Sequence, residues 1–375
     1  MLCRFRWVHC QLEMLRTCLR RDIQSILNAL PKTLDETYER ILEGIPETRR
    51  DYAQRLFQFL AVSVRPFGVE ELADILAFKF EAGVAPKFEE SCREADAEEA
   101  LLSTCSTMIV IIPSDGVECS WEDLPARVVQ FAHFSVQEFI TSERFQINSK
   151  QNVAHFHVIP GPAHTLLAHT CLSLLQSDDC IDEDAGNLPL VTYAAMHWHT
   201  HAHFEDEPME IKGAIEGLFD IDKPYFARWF QLYDPYRFSL TDPKQNRAIS
   251  LHYSARLGLS QLTRHLSTLH PHCINAVLGS KGTPLKAASS CGSLKTVKVL
   301  FEHGANVNAQ GGYYGNALQA AAYQGSLEIV DFLLQHGADV NAQGGYYGNA
   351  LQAAHDHDAN NIIQLLLKHE AIIIE

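Results

Sequence analysis

Four histidines at alternate positions, His197, His199, His201 and His203, are the most obvious candidates for metal chemistry. On a helix, His197 and His201 form one i,i+4 pair and His199 and His203 another, a spacing able to chelate zinc. The two pairs point apart, no HExxH motif follows, and no cysteine or carboxylate is placed by spacing to complete a ligand set. They are read as a solvated, histidine-rich helix end. The acidic tract Asp178 to Asp184 lacks glycine at the sixth position of every EF-hand frame and reads as an exposed loop. No Gly-x-Ser-x-Gly nucleophile elbow occurs, and the scattered Ser, Cys and His residues have no triad spacing. No Gly-x-x-x-x-Gly-Lys-Ser/Thr loop is present to cradle phosphates. The expected sets of catalytic residues, metal ligands and cofactors are each none, and the chain is expected not to be an enzyme.

What remains is a surface suited to contact. The tract Val307 to Ala321 (VNAQGGYYGNALQAA) recurs unchanged as Val340 to Ala354, 33 residues later, which is the mark of stacked repeats. Asn275, Asn308 and Asn341 keep the spacing, as do Leu285, Leu318 and Leu351, and Leu251 fits with one extra residue. Each unit opens a short helix at Thr283-Pro284-Leu285 or Asn316-Ala317-Leu318, with Thr or Asn as N-cap and Pro284 at the first helical position. The small pairs Ala287-Ala288 and Ala320-Ala321 let a second helix approach, and Gly292 or Gly325 makes the turn. Leu327, Val330, Leu333 and Leu334 stripe the second helix, which ends at His336-Gly337.

These residues resemble the ankyrin repeat over 249–375, as about four units beginning near Ile249, Thr283, Asn316 and Asn349. The first and last units depart from the pattern: Asp358 and Glu370 stand where glycine is expected, and Ile372-Ile373-Ile374 replaces Asp-Val-Asn. Solenoids need polar ends, so this end reads as cut off or degenerate. Ankyrin repeats recognise proteins with loop tips and the inner face of the first helices. The resemblance therefore implies partner contacts at Gln310, Tyr313, Tyr314, Gln319, Tyr323, Gln343, Tyr346, Tyr347 and Gln352. The residues alone leave a second reading open, in which the paired tyrosines pack between adjacent loops and stiffen the stack.

The first 245 residues read as helices with one hairpin. Thr33 and Glu36 frame a capping box ahead of Leu34, Tyr38, Ile41, Leu42 and Ile45 at helical spacing. A second helix spans about 47–64 with Tyr52, Leu56, Phe59, Leu60 and Ser63 inward, and a third Val69 to Ala77. A fourth starts in the acidic stretch at Glu94. Met108 to Ile112 and Val128 to Phe131 read as two strands, and Ser135 with Glu138 as the capping box of the helix that follows. Three helices and a two-stranded ribbon outline a winged helix over 31–150. Its recognition-helix position carries Glu94, Asp96, Glu98 and Glu99 against Arg93 alone, which would repel phosphate. Helices at Pro162 to Leu175, Leu190 to His201, Ile211 to Phe219 and from Pro224 onward make a helical connector over 151–245.

The block His133-Phe134-Ser135-Val136-Gln137-Glu138-Phe139 resembles the element that ends the winged helix of NACHT-type signal-transduction ATPases. Phe5-Arg6-Trp7 with Gln11-Leu12, and Pro31 to Leu42, resemble the NACHT end of fungal NACHT-ankyrin proteins, which makes 1–30 the tail of a NACHT-like module. The resemblance implies that His133 senses nucleotide. The residues alone make it a partly buried histidine hydrogen-bonded within its domain, and the missing P-loop removes the main phosphate contacts.

Composition agrees with this picture of a mostly α chain: a winged-helix-like domain with a small β-ribbon, a helical connector and a C-terminal ankyrin α-solenoid over 246–375. With 375 residues, 46% hydrophobic and 20% charged, two or three globular domains are expected. Ten cysteines without a CxxC pair argue against a disulfide scaffold or zinc ribbon. The net charge is −16, and residues 246–375 carry 8 basic and 8 acidic side chains, so all of it lies in 1–245. Such a field disfavours nucleic acid and anionic membrane. Apolar runs are short, and Arg4, Arg6, Arg16, Arg20 and Arg21 break the N-terminus, so no membrane span or signal peptide is expected and the location is cytoplasmic. Two functions remain: a non-enzymatic protein-interaction module of NACHT-receptor descent with an unidentified protein partner, or the C-terminal part of a nucleotide-switched receptor whose ATPase lies upstream.

Overall fold

The computed structural model describes residues 31, 33–81, 83–105, 107–114, 125–148, 153–177, 188–203, 208–234 and 243–372. The expectations placed on residues 1–30 and on Asp178 to Asp184 lie outside them. The chain divides into two units, 1–205 and 206–375, so the residues read as a connector fall on both sides of the division.

In the first unit, the helix Leu34–Glu43 begins at Thr33, whose Oγ1 accepts the N–H of Glu36 at 3.1 Å. Its inner stripe of Tyr38, Leu42 and Ile45 is buried. The helix Glu47–Val62 buries Ala53, Leu56, Phe57, Phe59 and Leu60. Tyr52, expected inward, is 44% exposed: it shares a face with the buried Leu56 and Phe59 but lies nearer the start of the helix, on the wall of a concavity with Thr48, Arg49 and Glu99. The helix Val69–Asp74 continues as a 3-10 turn to Ala77, and Ala97–Cys105 follows.

The expected ribbon is part of a three-stranded sheet. Strand β4 (Ile109–Pro113) pairs antiparallel with β5 (Arg127–Phe131), and β5 also pairs with the two-residue β1 (Phe67–Gly68). A small hairpin, β2 (Phe78–Lys79) with β3 (Lys87–Phe88), was not foreseen in the sequence. Two long helices, Pro160–Leu175 and Pro189–Ala202, lie against each other. A bidentate Arg65–Glu71 pair (2.8 and 2.7 Å) is buried beside Tyr193, and Glu71 also accepts the N–H of Gly68 at 2.8 Å. One carboxylate thereby satisfies a buried guanidinium and a helix start together.

In the second unit, the helices Lys212–Leu218 and Tyr225–Tyr233 bring Phe219, Phe226, Trp229 and Phe230 into one aromatic cluster, with Phe230 5.1 Å from Tyr253. Four helix pairs follow: Pro243–Arg256 with Ser260–Leu269, Pro284–Ser290 with Leu294–Glu302, Ala317–Gln324 with Leu327–Gln335, and Ala350–Asp356 with Asn360–Lys368. First helices pack on first helices and second on second. The alanines 287, 288, 320, 321, 353 and 354 are buried where the helices approach, and Leu285, Leu318, Leu333 and Leu351 fill the layers between them. Gly325 turns the third pair at φ 78°.

The three spaced asparagines perform one task. The Nδ2 groups of Asn275, Asn308 and Asn341 donate to the carbonyls of Gly304, Gly337 and Glu370 at 3.2, 2.9 and 3.1 Å. Their Oδ1 atoms accept the N–H groups of Asn306, Asp339 and Ile372, each at 2.8 Å. Each asparagine thus ties its loop to the one a repeat later.

Candidate functional site

The inner face of the repeat unit is built from loop tips and the starts of the first helices. Thr283, Asn316 and Asn349 cap those helices, accepting N–H bonds from Lys286, Gln319 and Gln352 at 3.2, 2.9 and 2.8 Å. Gln319 completes the cap, its Oε1 accepting the N–H of Asn316 at 2.9 Å. Its Nε2 lies within hydrogen-bond distance of the carbonyls of Ala342, Gly344 and Gly348 in the next loop, at 3.3, 3.0 and 2.9 Å. With only 1% of its surface exposed, Gln319 fastens one loop to the next and is corrected here from a partner contact to an internal tie.

The tyrosines form a ladder across loops 311–315 and 344–348. The N–H of Tyr313 donates to the carbonyl of Ser280, and the N–H of Tyr346 to that of Tyr313, both at 2.8 Å. The loops touch closely enough that a Cβ on Gly345, at φ 67°, would lie 2.4 Å from the Tyr314 carbonyl carbon. Tyr313 stacks on Tyr346 at 5.0 Å and 15°, and Tyr323 on Tyr347 at 4.9 Å and 22°. Tyr314 sits 5.1 Å from Tyr323 and 6.2 Å from Tyr347. Tyr313 and Tyr346 remain 50% and 69% exposed, whereas Tyr314, Tyr323 and Tyr347 are half-buried. Gln310, Gln343 and Gln352 are exposed, with Gln343 Nε2 donating to the Asn341 carbonyl at 2.9 Å.

Beside the ladder lies a concavity of about 640 Å³ that the sequence reading missed. Its walls carry His252, Arg256, Lys281 and Lys286, together with Tyr313 and Tyr314. Lys281 is buried and hydrogen-bonds Asp234 and the Tyr253 hydroxyl. Lys286 Nζ donates to the Lys281 carbonyl at 2.7 Å and lies 5.1 Å from the centre of the Tyr314 ring. Burial, with Arg256 adding to it, lowers the Lys286 pKa to about 8. Burial and the three neighbouring cations likewise bring His252 down to about 3, so its imidazole is neutral. The available signal was the register itself, since stepping back from Gln319 by 33 and then 34 residues reaches Lys286 and His252.

In the first unit, His133 is the N-cap of the helix Phe134–Thr141, and its Nδ1 accepts the Ser135 N–H at 3.2 Å. The expected capping box at Ser135 and Glu138 is corrected: the cap falls two residues earlier. The Ser135 hydroxyl instead bonds the buried Tyr38 hydroxyl at 2.8 Å and His133 Nδ1 at 2.6 Å.

The histidine-rich helix end is also corrected. His201 is fully buried between His164 (Nδ1 to Nδ1, 2.8 Å) and the Tyr193 hydroxyl, 3.0 Å from its Nε2. Burial first, and the neighbouring histidines second, lower its pKa to about 3. Among the described residues, no group of three or more His, Cys, Asp or Glu side chains is arranged to hold a metal ion.

The acidic segment before and within Ala97–Cys105 lines a second concavity, of about 770 Å³, that includes Glu94, Asp96 and Glu99. Arg93 is held by Asp74 at 3.0 Å and Glu90 at 3.2 Å, and Glu98 by Arg127 at 2.7 Å. No described helix is long and apolar enough to cross a membrane.

Comparison with known proteins agrees with the repeat geometry. Residues 229–344 and 312–374 match the family model described as ankyrin repeats (3 copies). The chain is also 33% identical over 307 residues to the azaphilone pigments biosynthesis cluster protein L of Monascus ruber. That match covers 77% of this chain and 63% of the relative, so the chain spans less than two thirds of that protein's length. Ankyrin repeats are typically non-catalytic and indicate protein partners. The C-terminal part of this chain carries ankyrin repeats.

Proposed function

We propose that this chain is a non-enzymatic, cytoplasmic interaction module that holds a protein partner against the inner face of its ankyrin array. The carrying observation is the pair of stacked rings, Tyr313 and Tyr346, on consecutive loops with half or more of their surface exposed. Stacking fixes the rings in advance, so a partner meets broad apolar area at low entropic cost while the hydroxyls stay hydrated. Gln310, Gln343 and Gln352 flank them with exposed amides. The half-buried Tyr314, Tyr323 and Tyr347 support them from beneath.

The test is a peptide-display selection on the full chain. Selected ligands should lose at least about tenfold in affinity for the double variant Tyr313→Ser, Tyr346→Ser, with the melting temperature nearly unchanged. A drop in melting temperature with affinity intact would make the ladder purely structural and sink the proposal.

We further infer that residues 31–150 form a winged-helix-like domain of NACHT-receptor descent, with 1–30 as the tail of the ATPase module. The helix, strand and paired-strand order around β1, β4 and β5 supports that reading. The ion-paired Arg93 and the acidic second concavity weigh against nucleic acid as a partner. The second functional reading, part of a nucleotide-switched receptor with an upstream P-loop, shares these elements. Calorimetry separates the two for this chain: we expect no ADP binding, since the His133 ring already serves as a helix cap. Micromolar ADP binding abolished by His133→Ala would favour the switch.

A further inference from the structure

His252, Lys286, Gln319 and Gln352 each follow the inward leucine of successive repeats and so occupy one column of the array. In the third repeat this position needs only a neutral amide, which reaches the next loop. In the second repeat the same position holds an ammonium that is 5% exposed. In the first it holds an imidazole that is 1% exposed and whose Nδ1 has no hydrogen-bond partner among the described residues. Burying a cation without a counter-ion is costly, and the third repeat shows that the fold does not require one.

Three cations line this concavity, and among the described residues only Lys281 has a carboxylate, that of Asp234. Among the described residues, neither Lys286 nor Arg256 is ion-paired. Four residues along from this column, Arg256, Ser290, Tyr323 and Asp356 run from a positive to a negative end across the four repeats. Tyr313 and Tyr314 belong both to the concavity and to the ladder, so a chain lying on the rings leads directly to the unpaired charges.

We propose that this concavity is an anion site that takes the carboxylates of an acidic segment of a protein partner, with Lys286 and Arg256 as counter-charges and the unpartnered His252 imidazole as a further hydrogen-bonding group. The proposal rests on the array being a protein-binding surface. A peptide fits better than a free small anion because the charges are continuous with the aromatic platform. The polarity of the column sets its direction, acidic end toward the first repeat.

The test uses the full chain with three probes: an acetylated, amidated hexaglutamate, its hexaglutamine counterpart, and inorganic phosphate. Hexaglutamate should bind and weaken as salt is raised, while hexaglutamine should not bind. Lys286→Gln, which installs the residue the third repeat already uses, should weaken hexaglutamate about tenfold or more without lowering the melting temperature. Arg256→Gln, at an exposed position, should do the same. Equal affinity in wild type and Lys286→Gln, or no preference for glutamate over glutamine, overturns the proposal. Phosphate binding as tight as the peptide also overturns it, because the site then takes free oxyanions. Display ligands that depend on Tyr313 and Tyr346, in a chain that ignores hexaglutamate, would refute this site alone and leave the broader function standing.

Discussion

Within each of its two units the chain is held by a different kind of contact. In the first, contacts that are each used once join distant positions, Tyr38 with Ser135, Phe67 with Tyr193, Asp74 with the N–H of Leu190, around the local Arg65–Glu71 pair that is itself used once. In the second, one set of contacts repeats, as in the asparagines that tie each loop to the next over 29 and 31 residues. Long-range, single-use contacts make a unit that stands or falls as a whole. Nearest-neighbour contacts make one that can lose stability piece by piece.

The largest test of that contrast is Glu71→Ala. It leaves the buried Arg65 without its carboxylate and should cost about 3–5 kcal/mol. Hydrogen exchange should then rise throughout the first unit, in Leu34–Glu43 and Pro189–Ala202 alike. Leu318→Ala and Leu333→Ala, at 1% and 0% exposure, should each cost roughly 2–5 kcal/mol. Their faster exchange should be confined to the mutated repeat and its neighbours. If exchange spreads equally far in both units, the contrast is broken.

A smaller effect comes from acid. His201 and His252 have folded pKa values lowered to about 3 against an ordinary value of 6.5. The unfolded chain therefore binds more protons between those limits, so each contribution to stability is complete above about pH 6.5 and is lost as the pH falls toward 3. By pH 5 the loss should be about 2 kcal/mol per histidine. Denaturant titrations of His201→Gln and His252→Gln at pH 7 and pH 5 should show a flatter acid loss than wild type. An unchanged slope in either variant would place that histidine outside the linkage.

The smallest test sharpens the repeat itself. Asp358 and Glu370 adopt φ values of 51° and 66°, the left-handed region that glycine occupies in the earlier units. Asp358→Gly and Glu370→Gly should each stabilise by about 0.5–1 kcal/mol, raising the melting temperature slightly. A loss of stability would mean that the acidic side chains themselves hold the last unit.

The repeats were legible because a contact that recurs in space leaves a period in the sequence. Caps, alanine pairs, glycine turns and the Asn ladder all follow from it. Contacts used once leave no such trace. Nothing in the sequence pairs His201 with His164, 37 residues away, and a histidine-rich helix end therefore read as solvated. Local pattern also misplaced a cap, because Ser135-x-x-Glu138 fits a capping box. The backbone leaves β5 at Phe131 and is still extended at His133, at φ −161°, so the helix starts there with an imidazole as acceptor. The basic concavity lay between these extremes. Its residues are on the repeat register, but their identities change from unit to unit, and a search for identity passes over a column whose chemistry varies.

The unchanged tract 307–321 and 340–354 has a genetic consequence. Because the N–H of Tyr346 meets the carbonyl of Tyr313 as the N–H of Tyr313 meets that of Ser280, the upper and lower surfaces of the third unit already match. Duplicating or deleting 33 residues at this seam would reproduce the existing loop-to-loop contacts and leave the second helices, whose residues differ from unit to unit, to adjust. A single recombination event between the two copies therefore changes the length of the array in register, and each such event moves the charged column of the first two repeats nearer to or farther from the last.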